Sequence, residues 1–221
     1  MADSSSLTKL RKQIDEIDNQ ILQMLEKRQG LSREIVKQKV LGSDVFRPDR
    51  EASLLRNLIA SHQGIDASLI AALWRTIISA SIAEQKPDYL IAHSAKARTI
   101  SQNHAAGFLN ETGFEDASSA LDALISGQAD CALIHHEELD EVQDKLGTKT
   151  GFVVISRTPL LAHPQTDKGY IIAKTLPSKT GDDITMMKDK EGHIRFEEGY
   201  FDAPILPQQE IIGIYAKPLS E

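Results

Sequence analysis

Between Leu7 and Leu41 apolar residues return every three or four positions, at Leu7, Leu10, Ile14, Ile17, Ile21, Leu22, Met24, Leu25, Leu31 and Ile35, with no proline to interrupt them. The spacing predicts one long amphipathic helix. Gly30 costs it about 1 kcal/mol relative to alanine, too little to end so strong a pattern, whereas Gly42 and Ser43 do end it. At about 1.5 Å per residue such a helix is on the order of 50 Å long, while a compact domain of roughly 85 residues has a radius of gyration near 12 Å. Its apolar stripe therefore needs cover that a small domain cannot supply alone. The economical cover is a second copy of the chain, packed as an intertwined helical dimer. A continuous coiled coil is the alternative, but the stripe drifts from a strict heptad and two further helices compete to cover it.

The second helix starts at Pro48, which suits a first helical position, and Asp49 and Glu51 complement the positive end of its dipole. It runs to about Ser61. Gly64 breaks the chain, Asp66 is a good N-cap, and Leu69, Ile70, Leu73, Trp74, Ile77, Ile78 and Ile82 give a third helix that Pro87 stops. After Pro87 the texture changes to short β-prone runs at Tyr89–Ala92, Ala129–Ile134, Phe152–Ser156, Tyr170–Ala173 and Glu210–Ala216. Helical patterns lie around Ala97–Leu109 and Ser118–Ser126, and the stretch from Gly169 reads as strands and turns. The expectation is a multidomain chain: an all-α three-helix domain over 1–87 that forms an intertwined dimer, then an α/β (α+β) domain over 88–221.

Asp plus Glu number 32 against 25 Lys plus Arg, and the net charge of -7 argues against a general nucleic-acid or acidic-membrane binder. Cys131 is the one cysteine, so no intrachain disulfide forms, and the Met-Ala-Asp-Ser-Ser-Ser start lacks the basic and apolar regions of a secretory signal. The expected location is the cytoplasm. A membrane helix needs roughly 20 apolar residues, and the Leu69–Ile82 run is broken by Arg75, Thr76, Ser79 and Ser81. No membrane partner is expected.

Cations on the first helix carry the functional signal. Arg28 and Lys39 are eleven residues apart, which at about 100° per residue returns them to nearly one face, roughly 16 Å apart along the axis. Their long side chains can lean together on one small anion. Arg11 lies about 25 Å before Arg28 and is rotated by roughly 100°, so it cannot serve that site within its own chain. In an antiparallel dimer it can serve the partner's.

These residues, Leu10-Arg11, Ile14, Asp18, Leu25, Arg28, Lys37 and Lys39, then Asp49-Arg50-Glu51, then Ser81 and Gln85, together resemble the AroQ-class chorismate mutases over about Leu7 to Lys86. The resemblance implies three helices from each of two subunits, intertwined around two buried sites, each taking one arginine from the neighbouring chain. It implies a pericyclic rearrangement of chorismate to prephenate, in phenylalanine and tyrosine biosynthesis, with no cofactor, metal or nucleophile. Such a catalyst must hold a flexible dianion in its compact conformer and stabilise charge growing on the ether oxygen, which calls for cations and donors. Arginine suits the carboxylates because its planar fork binds them bidentately and stays charged when buried.

By this resemblance Arg28, and Arg11 of the partner subunit, take the two carboxylates. Lys39 and Gln85 donate to the ether oxygen from opposite sides, Arg50 sets the local field, Glu51 binds the substrate hydroxyl, and Ser81 contacts a carboxylate. One departure is Arg47, where the family carries an acidic residue; altered affinity is expected there. Arg33 and Arg75, with no counterpart role, read as surface residues.

The second half, from Tyr89 to Arg157, is similar to part of a prephenate dehydratase, through Ala120–Ile134 and the Thr150-Gly-Phe-Val-Val-Ile-Ser-Arg-Thr-Pro run. Leu176-Pro-Ser-Lys-Thr-Gly is similar to the opening of an ACT-type regulatory domain. The dehydratase carries Thr-Arg-Phe where this chain has Thr150-Gly151-Phe152, so the catalytic arginine is absent and no dehydratase activity is expected. The half is then a degenerate remnant, or a regulatory domain for an aromatic amino-acid effector or a pathway enzyme. His135 and His136, adjacent on an expected strand, would point to opposite faces and make no metal site, and Cys131 reads as buried core. Two other readings compete with the mutase: a non-catalytic mutase-like regulatory scaffold, and a bifunctional mutase and dehydratase. The intact cation set argues against the first and Gly151 against the second.

Overall fold

The computed structural model describes residues 4–38, 45–162 and 166–220. It divides into two compact units, Met1–Ser43 and Asp44–Glu221. The first unit is helix α1 (Ser4–Gln38), one unbroken run through Gly30 as its periodicity requires. Its apolar residues Leu7, Leu10, Ile14, Ile17, Ile21, Leu22, Met24, Leu31 and Ile35 stand 51–63% exposed, and Leu25 is half-buried.

The second unit opens with α2 (Pro48–Ser61), which has proline in its first turn, and α3 (Ala67–Gln85), whose N-cap Asp66 accepts from the amides of Ser68 and Leu69. The order then runs β1 (Leu90–Ser94), α4 (Arg98–Ala105), β2 (Asn110–Phe114), α5 (Ala117–Ile125), β3 (Cys131–His135), α6 (Leu139–Val142), β4 (Val153–Thr158) and β5 (Leu161–Ala162). It continues with β6 (Gly169–Ala173), β7 (Asp183–Lys188), β8 (Ile194–Glu198), β9 (Glu210–Ala216) and β10 (Leu219–Ser220). Eight strands form one mixed sheet in the order β2-β1-β3-β6-β4-β9-β7-β8. Strands β2, β1 and β3 are parallel, joined by crossover helices α4 and α5; β6 is antiparallel to both β3 and β4. The far half is held by parallel β4/β9 and antiparallel β9/β7 and β7/β8 pairs.

Both faces of the inner strands are buried, and the two-residue period sorts them. Ala132, Ile134, Val154, Tyr170 and Ile172 pack on one face under Leu121 and Leu124 of α5 and Leu139 and Val142 of α6. Cys131, Leu133, Val153, Ile155 and Ile171 pack on the other, with Ala97 and Ile100 beside α4, Ile82 of α3 and Phe46. Ile78 and Ala83 add to that second cluster. Helix α2 is tied down as well: Arg56 donates to Thr180 Oγ1 at 2.8 Å, Asp182 O at 2.7 Å and Lys217 O at 2.9 Å. The sequence reading divides the chain at 87/88; in the structure α2 and α3 lie within the second compact unit, where Ile78, Ile82 and Ala83 of α3 pack against the sheet. Helix α3 is also long and apolar enough to cross a membrane by length and composition, contrary to the sequence expectation. Its interruptions are accommodated by packing: Ile70, Ser79, Ser81 and Ile82 are buried.

His136 corrects a second expectation. Strand β3 ends at His135, and residues His136–Glu138 turn into a 3-10 helix closed by a capping box in which His135 Nδ1 accepts from the Glu137 amide. The two rings therefore lie 4.4 Å apart rather than on opposite faces.

Two glycines show how tightly the sheet is set. A Cβ on Gly213 would lie 2.5 Å from Val154 Cβ and 2.8 Å from Val154 O, whereas Gly151 has open space but a φ of +79°. Gly213→Ala should therefore lose about 1–3 kcal/mol through overpacking, and Gly151→Ala about 1 kcal/mol through backbone strain. Urea unfolding of the full chain checks the order; Gly151→Ala proving the costlier would contradict the close β4/β9 approach.

Candidate functional site

The structure distributes the anticipated site residues over three helices. Arg11 is exposed and Arg28 half-buried on α1, while Lys39 lies outside the described residues. Arg50 and Glu51 occupy the first turn of α2, with Arg50 exposed and Glu51 half-buried. Ser81 and Gln85 sit one turn apart near the end of α3, and the structure brings these two together: Gln85 Nε2 donates to Ser81 O at 3.0 Å, and Ser81 Oγ donates to Ile77 O at 2.8 Å.

Arg47, the departure from the family pattern, closes on its neighbour. Its Nε and Nη2 donate to the two oxygens of Asp49 at 2.9 and 2.6 Å. Burial pushes the Asp49 carboxyl up, but the Arg47 fork outweighs it and holds Asp49 below the usual aspartate range.

Glu51 is engaged by a residue that sequence reasoning left on the surface. Arg75 Nη1 donates to Glu51 Oε1 at 2.7 Å, and the two side chains are only 16% and 13% exposed. Arg75 Nε donates to Ser79 Oγ at 3.2 Å, Ser79 Oγ donates to His104 O at 2.9 Å, and Arg75 Nη1 lies 3.4 Å from His104 Nδ1. Helix α2, helix α3 and helix α4 are thus joined by one polar chain. Two of its atoms, Glu51 Oε2 and Arg75 Nη2, are buried with no hydrogen-bond partner among the described residues. Glu51, His104, Ser156, Arg157 and Thr158 line a cavity of about 20 Å³, room for about one water molecule. The signal that could have flagged Arg75 is its place inside an otherwise apolar helical run, where a solvated cation is out of keeping.

His104 is fully enclosed. Burial, and then the Arg75 charge, hold its imidazole well below the usual histidine range, so the ring is neutral. Phe46 packs edge-on against it at 5.4 Å. Cys131 behaves as core: burial pushes its thiol up to about 12, far from the reactive thiolate range. Asp189, Glu191 and His193 lie close enough to share a cation, but all three belong to the β7/β8 turn, where Asp189 already accepts from the other two amides.

The depressed His104 pKa gives stability a definite pH sign. Above about pH 6.5 the ring is neutral folded and unfolded, so it adds no slope; below that the unfolded chain takes up a proton that the folded chain refuses. Stability should fall as pH drops from 6.5 towards 5, and His104→Gln should flatten that fall. Chemical denaturation at stepped pH measures it, and an unchanged slope in the variant would show that His104 is not the group responsible.

Residues 10–86 match the family model described as chorismate mutase type II. Two curated relatives are each a bifunctional chorismate mutase/prephenate dehydratase. The protein from Pseudomonas aeruginosa is 28% identical over 129 residues and that from Stutzerimonas stutzeri 26% identical over 129 residues, each match covering 55% of this chain and 35% of the relative. A match of that length extends beyond residues 10–86. The chain spans about a third of the length of these relatives. A solved structure titled as GqqA, a novel type of quorum quenching acylases, aligns with 15% identity and a TM-score of 0.39 over 57% of this chain and 94% of that one, a level at which no shared fold is established. The likeness of this chain to the chorismate mutase type II family is thus carried by residues 10–86.

Proposed function

We propose that this chain is a chorismate mutase, rearranging chorismate to prephenate in aromatic amino-acid biosynthesis. One observation carries the reading: the segment matched to the family holds Arg11, Arg28, Lys39, Arg50, Glu51, Ser81 and Gln85 in order. No side chain in this set is asked to act as nucleophile or base. Arg28, with Arg11 of a second copy, binds the two carboxylates and freezes the reactive conformer. Lys39 and Gln85 donate to the ether oxygen as its bond breaks, and that interaction, stronger in the transition state than in the ground state, lowers the barrier. Arg50 supplies field, Ser81 a carboxylate contact and Glu51 an acceptor for the substrate hydroxyl.

The working unit in this reading is a homodimer. The exposed apolar stripe of α1 supports it, since a stripe of that length left in water is a surface that association covers. The proposed location is the cytoplasm, in keeping with one buried cysteine and no disulfide.

Dehydratase activity, which the names of both relatives include, forms no part of this proposal. Gly151 stands where that chemistry has an arginine, and it sits in a tight turn with φ +79°, its amide bonded to Gly147 O at 3.1 Å. A side chain there would meet backbone strain as well as the wrong chemistry. The α/β part is read instead as the seat on which α2 and α3 are held, with a regulatory ligand or a pathway enzyme as its candidate partner.

Purified full-length chain should consume chorismate, followed by its absorbance, and yield prephenate without phenylpyruvate. Lys39→Ala and Arg28→Ala should each lose at least roughly a hundred-fold in kcat/KM, as removal of one charge-stabilising donor does, while still folding. A folded wild type with no turnover would leave the scaffold reading in place; phenylpyruvate among the products would overturn the assignment to Gly151.

A further inference from the structure

We infer that Arg75 is a positioning residue for Glu51, through which helix α4 of the α/β part fixes the carboxylate that receives the substrate hydroxyl. The inference rests on the mutase reading above. Its first support is geometric. Arg75 Nη1 binds only one carboxylate oxygen, Oε1, at 2.7 Å, and leaves Oε2 buried and unpartnered among the described residues. A carboxylate held by one oxygen has its torsions fixed and keeps acceptor capacity on the other.

The second support is that Arg75 is itself held, by Ser79 Oγ one turn on along α3 at 3.2 Å and by the neutral His104 ring of α4 at 3.4 Å, while Ser79 is anchored on His104 O. The third is energetic. An ion pair this buried is a poor device for stability, because desolvation offsets its Coulomb attraction unless every polar atom is satisfied. Here Glu51 Oε2 and Arg75 Nη2 are both unsatisfied. A pair with two such atoms contributes little as cement between α3 and α2.

The contact assigned to Glu51 is made with bound substrate and transition state alike, so its loss falls mainly on KM. Steady-state kinetics with chorismate on the full-length wild type, Arg75→Met, Glu51→Gln and the double variant read this directly. Arg75→Met should raise KM roughly ten-fold, with a smaller change in kcat, as for loss of one charged hydrogen bond. Glu51→Gln should do the same, the double variant should be no worse than the poorer single, and Arg75→Lys should recover part of the loss. If Arg75→Met does not fold, the same cycle with Arg75→Lys replaces it. Wild-type KM in a folded Arg75 variant, or factors that multiply in the double variant, would overturn the positioning role. An inactive wild type would instead sink the mutase reading, and the role of Arg75 with it, before any variant is compared.

Discussion

Strand β6 bonds antiparallel to β3 on one side and to β4 on the other, and these two ladders weld a parallel three-stranded unit and a mixed four-stranded one into a single sheet. Everything in the second unit follows from that weld. Its residues alternate, Tyr170 and Ile172 to one face and Ile171 to the other, so neither face can be left to water. Helices α5 and α6 cover the first face. The second face has only the short α4 from the α/β part, and the width of the sheet leaves apolar surface beside it. Phe46 and the Ile78, Ile82 and Ala83 side of α3 fill that space, which is how two helices of a mutase-type segment become part of an α/β core.

The arrangement gives α3 two obligations. At about 100° per residue, Ser81 and Gln85 lie roughly 120–160° around the helix from Ser79 and about 80–120° from Arg75, which itself lies within about 40° of Ser79. One face therefore carries the link to α4 and another carries the residues proposed to meet substrate. Leu69 and Leu73, at 51% and 48% exposure, leave α3 a further apolar patch, and α1 shows the same property along its length. Exposed apolar surface on this scale is characteristic of association surfaces, and it is what a dimer of helical segments would bury.

The three helices were legible because each has its own local punctuation: a long stripe without proline, Pro48 with acids behind it, and Asp66 ahead of an apolar run. Strands β1, β3, β4, β6 and β9 announced themselves through runs of β-branched and other apolar residues. Strand β2, with Asn110-Glu-Thr-Gly-Phe, did not, since it is an edge strand with a mostly exposed surface and takes its conformation from the β1 ladder. The polar β8 edge was hidden for the same reason. Packing of α3 on the sheet was hidden for a different one: α3 is apolar on most sides, so periodicity could not say which side met which partner. The proposed site is read from the order and spacing of its residue types. Arg75 was not legible in that way, because its role depends on Glu51 and His104, 24 and 29 residues away, and no local pattern encodes such pairs.

That tertiary dependence shapes what the α/β part can do to the chemistry. Glu51 of α2 is tied to α4 through Arg75. A shift of α4, by sequence change or by a ligand on the sheet, reaches Arg75 first, because Ser79 and His104 hold it by short polar contacts in a low-dielectric setting where small displacements matter. On the proposed mutase reading the effect then passes to the orientation of the Glu51 carboxylate. Influence through this link would act on how tightly substrate is held more than on how fast it rearranges, since hydroxyl recognition is common to ground and transition states while the ether-oxygen donors are not.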